Sequence, residues 1–193
     1  MPSLDDSVLD KDFNELRERL RAPNALSPAQ SEPIYYLVYR PEFMLAVKRR
    51  MGGWIGALEN DGWQTVRMSL ADLMYELIDE SKRWDTWLKL EPTARAGAIH
   101  RSIQDVLTKE NGLTKRLQEI VMQGDARTLH VLTESEVLYP YFRTRAIEHA
   151  LNKLEHPIVI FYPGRRSGQS VLNFLGIDES PGSYRSTIVG GLE

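Results

Sequence analysis

The sequence has no cysteine among its 193 residues. This absence excludes a disulfide framework, a thiolate metal site and a cysteine nucleophile, and it agrees with a reducing cytoplasm. The sequence also lacks an apolar run of the ~18 residues that a membrane-spanning helix needs, and its first residues are polar and acidic. We therefore expect neither a membrane span nor a signal peptide, and we predict a soluble cytoplasmic protein.

The chain also lacks an excess of positive charge. Lys and Arg number 24 against 27 Asp and Glu, which gives a net charge of −3. A protein without an overall positive field has little to hold nucleic acid, so direct DNA binding is the least favoured function. A local basic patch could still form from Arg143, Arg145, Arg165 and Arg166, although a solvated rim is the commoner role of such residues.

A buried strand is the strongest structural signal that is present. Residues 157–162 (PIVIFY) form an almost unbroken apolar run, which is typical of a strand covered on both faces. Pro163 and Gly164 are expected to end this strand, and a polar turn over 165–168 follows. Apolar residues at helical spacing then predict a helix over 169–175. In sheets built from such units, ligands usually bind beyond the carboxyl ends of the strands.

Further strands and helices complete an α/β pattern. Strands are predicted at 34–39, 63–68, 128–133 and 184–189, the last of them at a sheet edge. Helices are predicted at 5–21, 42–58 and 140–154, and Pro140 suits the first position of the last one. The pattern predicts an α/β fold with a mostly parallel sheet of four or five strands flanked by helices.

A long helical insertion, at about 69–124, separates the second and third predicted strands. Ser69 and Asp72 have the form of a capping box at its start. The insertion holds about 50 helical residues, whereas an ordinary crossover between parallel strands needs only ~10–12. We predict a single α/β domain over 1–193, with an amphipathic helix over 1–21 and a proline-containing linker over 22–33.

The turn at 164–170 is similar to the phosphate-binding loop G-x-x-x-x-G-K-[ST]. It is one residue short of that motif, and Gln169 stands where the lysine should be. Without the lysine, the β- and γ-phosphates of a nucleotide lose their fixed cation, so a structural turn is the favoured interpretation. An enzyme or nucleotide-binding subunit that uses this turn is kept as the alternative hypothesis. The candidates for weak anion or partner contact are Gly164, Arg165, Arg166, Gly168 and Gln169.

Acidic residues and histidines offer no recognisable catalytic or metal site. Glu134 and Glu136 follow a predicted strand, where metal-binding acids are common, but the segment from Thr133 also matches a capping box. The four histidines are too scattered for a ligand spacing, and no nucleophile motif such as G-x-S-x-G is present. We predict no catalytic residue, no metal and no cofactor.

Two apolar sets could contact a partner. Trp84 and Trp87 lie three residues apart in a predicted helix, as interface aromatics often do, although burial in the core is the commoner role. The first helix carries an apolar stripe that includes Phe13 and Leu16, and it could pack on its own sheet or on a partner. These four residues are the candidate partner-binding residues.

Several short motifs occur in an order that resembles the BrxB family of the bacteriophage-exclusion (BREX) defence systems. They are an opening helix, the strand 34–39 followed by Arg-Pro, the segment HVLTESEVLYPYFRTRAIEHAL at 130–151, and FYPG at 161–164 followed by Gly-Gln-Ser at 168–170. The resemblance extends over nearly the whole chain. It carries over no catalytic residue.

This resemblance implies a small cytoplasmic component of a multi-protein assembly for phage restriction and methylation. The implied role is a non-catalytic adaptor that links partners such as the PglZ phosphatase-like protein and the BrxC ATPase. The PglX methyltransferase is a further candidate partner. Whether two copies pair through the last strand is left open.

Overall fold

The chain folds around a parallel β-sheet. A computed structural model describes residues 6–22, 33–109, 112–151, 156–168, 171–179 and 186–192. Its strands are β1 (Ile34–Tyr39), β2 (Gln64–Ser69), β3 (Thr128–Thr133), β4 (Ile158–Ser167), β5 (Val171–Phe174), β6 (Asp178–Glu179) and β7 (Thr187–Gly190). Five of them lie in the order β2-β3-β4-β1-β7, with all neighbours parallel. The predicted α/β fold with a mostly parallel sheet is confirmed.

Helices cover both faces of this sheet. They are α1 (Ser7–Arg21), α2 (Met44–Asn60), α3 (Leu70–Glu80), α4 (Trp84–Leu90), α5 (Ala98–Thr108), α6 (Leu113–Val121) and α7 (Thr144–Leu151). Helices α1 and α2 pack on one face, whereas α3 to α7 contribute side chains to the core of the other face. None of the described helices combines the length and apolarity that crossing a membrane would require.

Burial on two faces explains the continuous apolar runs of the central strands. All six residues of β1 are buried, as are all six of β3. Along β1, Tyr36 belongs to the core beneath the helical insertion, and its neighbours Tyr35 and Leu37 belong to the core beneath α1 and α2. Because successive side chains of a strand point to opposite faces, a strand between two helical layers buries every position and is mostly apolar, although β3 also buries Thr128, His130 and Thr133.

The predicted first helix forms, and its apolar stripe packs on the chain's own sheet. Phe13 stacks on Trp54 of α2 with ring centroids 4.6 Å apart, and Leu16 is fully buried. A polar contact also joins the two helices, because the Arg17 guanidinium of α1 donates two hydrogen bonds of 2.8 Å to the carboxylate of Asp61, just after α2. Phe13 and Leu16 therefore lie in the core and do not form a surface for a partner. Most of the predicted linker, residues 23–32, lies outside the described residues.

The predicted insertion also forms, as the four helices α3 to α6 between β2 and β3. Its start is capped as the sequence predicts, because the Ser69 hydroxyl oxygen accepts a hydrogen bond of 3.0 Å from the Asp72 N–H. Such a cap satisfies a backbone donor that the first turn of a helix leaves without an intrahelical partner.

The helix predicted over 169–175 is wrong, because residues 171–174 form strand β5, which pairs with the end of β4; residues 169 and 170 lie outside the described residues. Strand β4 continues past its predicted end to Ser167, and its last residues pair antiparallel with β5. In β5, Leu172 and Phe174 are buried while Val171 is exposed, which is the two-residue period of a strand. So short a segment has little helical stability of its own, and the hydrogen bonds offered by β4 decide its structure.

This hairpin also changes the phosphate-loop hypothesis. A loop of that kind must lie between a strand and the first turn of a helix, whose N–H groups bind the phosphate. Here Gly164 lies inside β4 and Gly168 lies in the turn with φ 63°, while Gln169 and Ser170 fall outside the described residues. The described part of the segment therefore offers no helix N-terminus to a nucleotide.

The helix predicted over 140–154 begins later than expected, at Thr144. The bond before Pro140 is cis, and Pro140 precedes the helix instead of occupying its first position. The chain first makes a turn in which Phe142 is buried and its N–H donates a 2.7 Å hydrogen bond to the carbonyl four residues earlier. Residues 140–143, which were predicted as the first turn of the helix, thus form a separate turn that buries the Phe142 side chain. The predicted end, 152–154, lies outside the described residues.

Candidate functional site

Exposed apolar side chains of the helical insertion concentrate on α4. Trp84 is 41% exposed, Leu88 61% and Leu90 49%. We call these three residues the α4 patch; Trp84 and Leu88, four residues apart, lie on one side of the helix, and Leu90 lies on the side of Trp87. Burial of apolar surface is favourable by about 25 cal/mol per Å², so a group of large apolar side chains on a short helix is the type of surface that a partner covers.

The two tryptophans singled out in the sequence have different surroundings. Trp87 is buried, and its indole N–H donates a 2.9 Å hydrogen bond to the Ser102 hydroxyl of α5. Trp84 keeps much of its ring in solvent, and its indole N–H donates a 2.5 Å hydrogen bond to Asp79. Only Trp84 is therefore placed to contact a partner, while Trp87 attaches α4 to the rest of the insertion.

A groove of about 410 Å³ lies between α4 and α5. We call it the α4–α5 groove. It adjoins the α4 patch, because Leu90 belongs to both. In addition, the ring of Trp84 packs edge-on against the ring of Trp87, with the ring centroids 5.7 Å apart. Its lining is mainly apolar and consists of Trp87, Leu90, Ala94, Ala98 and Ile99, with Thr86, Ser102 and Arg83. Leu90 and Arg83 were missed by the sequence analysis, although their spacing from Trp87 places them on the same side of the helix.

The carboxyl edge of the sheet carries the two glutamates considered as metal ligands. The Lys48 ammonium lies 3.1 Å from Glu134 and 3.5 Å from Glu136. The Ser69 hydroxyl donates a 2.6 Å hydrogen bond to the other oxygen of Glu134. The hydrogen bond from Ser69, and then the contact with Lys48, hold the pKa of Glu134 below its usual value. Both glutamates thus bind the protein's own cation, and the contact joins α2 to the ends of β2 and β3.

The predicted capping of this segment is wrong. The Thr133 hydroxyl donates a hydrogen bond of 3.3 Å to the Met68 carbonyl, and no side chain caps the short 3₁₀ helix Ser135–Leu138. Thr133 is the buried last residue of β3, so its hydroxyl bonds to a backbone carbonyl of the neighbouring strand β2 and not to the helix that follows. Glu134 follows with a left-handed φ of 62°.

Arg165 and Arg166, the charged residues of the 164–170 turn, contact the protein itself. The Arg165 guanidinium lies 3.1 Å from the Glu42 carboxylate. The Arg166 side chain donates to the Ile188 carbonyl at 3.3 Å, and its backbone N–H donates to the Gly191 carbonyl at 2.8 Å. These contacts attach the hairpin to the ends of β1 and β7, and they give both arginines a structural role.

A buried histidine pair, which the sequence analysis missed, lies at the amino edge of the sheet. His130 of β3 and His156 before β4 are 2% and 4% exposed, and their ring centroids are 5.0 Å apart. A side chain on Gly124 would come within 2.9 Å of His130, so the backbone at this glycine covers the pair. No group of three or more metal-ligating side chains occurs within the described ranges.

Burial disfavours the charged forms of both imidazoles. It lowers the pKa of His130 from 6.5 to about 4, and the neighbouring His156 adds to this effect. Burial likewise lowers the pKa of His156, although Asp125 partly opposes the change. Since an unfolded histidine titrates near its ordinary pKa, the unfolded chain binds more protons than the folded protein below pH 6.5.

We therefore expect the protein to lose stability on acidification already at pH values well above those at which carboxylates become protonated. The stabilisation is complete above pH 6.5 and is lost as the pH falls toward 4, with about 1 kcal/mol lost between pH 7 and pH 5 after allowance for solvent screening. Urea unfolding across this range measures the effect. His130→Phe should flatten the pH dependence, whereas Val8→Ala, at an exposed apolar residue of α1, should preserve it. Equal slopes for the parent and His130→Phe would contradict the prediction.

Comparison with known proteins adds one finding to this geometry. A family model described as "BREX protein BrxB" matches residues 66–188, which is more than half of the chain and includes the whole helical insertion. Neither the curated proteins nor the solved structures contain a match to the chain.

Proposed function

This chain belongs to the BrxB family and is a component of BREX phage defence, and on this premise we propose that it acts as a non-catalytic adaptor in the cytoplasm. The proposed partners are other components of the same system, first the PglZ phosphatase-like protein and the BrxC ATPase, and then the PglX methyltransferase. The adaptor would hold such proteins in one assembly through surfaces of its own, without carrying out chemistry.

The observation that carries this proposal is the α4 patch. Trp84, Leu88 and Leu90 are exposed on one short helix, within an insertion that is much longer than the sheet connection requires. Exposed apolar groups of this kind mark interaction sites, and tryptophan is among the residues that contribute most to binding energy at interfaces. The insertion also lies inside the region that the family model matches.

Co-purification from cells that express the complete BREX system tests the proposal. The tagged parent chain should recover the PglZ-like protein and the BrxC-like ATPase. The double variant Trp84→Ser, Leu88→Ser should recover at least about tenfold less of one of them, which corresponds to a loss of about 1.4 kcal/mol in binding. Met122→Ser is a matched control, because Met122 is a 73% exposed apolar residue of the same insertion outside the patch.

Two results would count against the adaptor. One is recovery of the parent chain alone at several salt concentrations, and the other is equal recovery of partners by parent and double variant. A thermal shift with ATP and Mg²⁺ would instead favour the nucleotide-binding alternative, since a ligand at 100 times its Kd stabilises a protein by about 2.7 kcal/mol.

A further inference from the structure

The α4–α5 groove has the size and lining of a binding site for apolar side chains. Its volume of about 410 Å³ lies within the ~300–1,000 Å³ of typical ligand pockets. Trp87, Leu90 and Ile99 supply most of the apolar wall, and the small side chains of Ala94 and Ala98 leave the space between the helices open. An apolar group that enters the groove would be removed from water on several sides.

Among the described residues that line this groove, Arg83 is the single charged one. Its guanidinium contacts the Ser102 hydroxyl at 3.4 Å, and it forms no ion pair with any carboxylate of the described residues. A second cleft, of about 520 Å³, brings Arg83 together with Glu80 and Asp105. Those carboxylates bind other cations, because Glu80 lies 2.8 Å from Arg116 and Asp105 lies 2.9 Å from Lys109.

The groove therefore presents, beside an apolar wall, an arginine that no carboxylate of the described ranges neutralises. A guanidinium pairs with a carboxylate through two parallel hydrogen bonds, and such a pair is stronger where water is partly excluded. A basic segment would be repelled by Arg83, and nucleic acid would leave the apolar wall uncovered. The combination fits a segment of protein that carries an apolar side chain next to an acidic one.

We propose that the α4–α5 groove binds a segment of a partner protein in which an apolar residue enters the groove and a neighbouring Asp or Glu pairs with Arg83. This inference rests on the proposed adaptor function and specifies the chemistry of one partner. Trp84, whose ring packs edge-on against that of Trp87, borders the groove and would extend the same interface. Association would therefore bury apolar surface of α4 and, at the same time, pair the Arg83 guanidinium with a carboxylate of the partner.

Charge reversal at Arg83 gives the first test, in co-purification from cells expressing the complete system. Arg83→Glu should lower the recovery of one partner at least about tenfold, because the partner's carboxylate then faces a like charge. Lys89→Glu is the matched control, since Lys89 is an exposed cation of the same helix that does not line the groove. This control should leave recovery unchanged, and equal melting temperatures would show that both variants fold.

Cross-linking identifies the segment itself. A photoreactive p-benzoyl-phenylalanine at Thr86, an exposed residue that lines the groove, should cross-link to the partner, and mass spectrometry locates the linked peptide. When the acidic residue of that peptide is changed to Lys in the partner, the Arg83→Glu variant should recover this partner to within about threefold of the amount that the parent recovers. Cross-links to nucleic acid, to a basic segment or to a second copy of this chain would overturn the inference.

The outcomes separate this inference from the function on which it rests. If the parent recovers its partners and Arg83→Glu recovers them equally well, or if the exchange of charges restores nothing, the groove inference fails and the adaptor function stands. If the parent recovers no BREX component, both fail.

Discussion

Replacement of Phe13 by alanine is expected to lower the free energy of unfolding by about 3–5 kcal/mol, the usual cost of removing a buried phenylalanine ring. Phe13 is 2% exposed and stacks on Trp54 with ring centroids 4.6 Å apart. The Trp54 ring in turn packs against the ring of Phe161 in β4, with ring centroids 5.9 Å apart. Loss of the Phe13 ring would leave a cavity between α1, α2 and the sheet, and the stack that joins the first helix to the central strand would be lost.

Urea unfolding measures this effect, and Val8→Ala is the matched control. Val8 belongs to the same helix but is 42% exposed, so its truncation should change stability by less than about 0.5 kcal/mol. A neutral Phe13→Ala would mean that α1 is not part of the folded core. In that event, Phe13 and Leu16 would again be candidates for contact with a partner.

Replacement of Gly164 by alanine is the second large effect that we expect, with a loss of about 2–3 kcal/mol. A Cβ atom at this position would lie far inside contact distance of the Asn173 carbonyl oxygen and 2.7 Å from the Tyr162 ring. Gly164 pairs with Phe174 across the hairpin of β4 and β5. The added methyl group would therefore force two paired backbones apart, and backbone cannot move aside as the end of a flexible side chain can.

The other glycine of the turn provides the comparison. Gly168 has open space around its Cα but a φ of +63°, so Gly168→Ala should cost only about 1 kcal/mol. Thermal or urea unfolding of both variants measures the difference. If the segment 169–175 were helical, as its apolar spacing indicates, Gly164 would lie in a loop and would tolerate alanine. Equal stability of Gly164→Ala and the parent would therefore contradict the hairpin.

Much of the fold was predictable because local patterns carry it. The run 34–39 (IYYLVY) is hydrophobic or aromatic at every position, which is typical of a strand covered on both faces, and all six of its residues are buried. The amphipathic stripe of α1 and the cap at Ser69 are also local, since they depend on residues within one or two helical turns. These signals need no knowledge of what packs against them.

The candidate site was much less predictable, because its properties depend on neighbours that are distant in the chain. Trp84 and Trp87 look equivalent in sequence, but Trp87 is buried in the core, where its indole N–H donates to Ser102 of α5, and Trp84 stays 41% exposed. Arg83 forms no ion pair with the carboxylates of the described residues, while Glu80, which lines the same cleft, pairs with Arg116 of another helix. The histidine pair likewise requires β3 and β4 to lie side by side.

Local patterns were thus enough to predict the parallel sheet and the helical insertion, and short motifs in a characteristic order were enough to indicate the family, because such signals depend only on neighbouring residues. Contacts between distant parts of the chain were needed to show that 171–174 is a strand, that Phe13 is buried in the core and that an apolar groove lies beside Arg83. The physical reason is that burial and charge pairing are set by whichever side chains and strands meet in space. A segment's own spacing cannot reveal them.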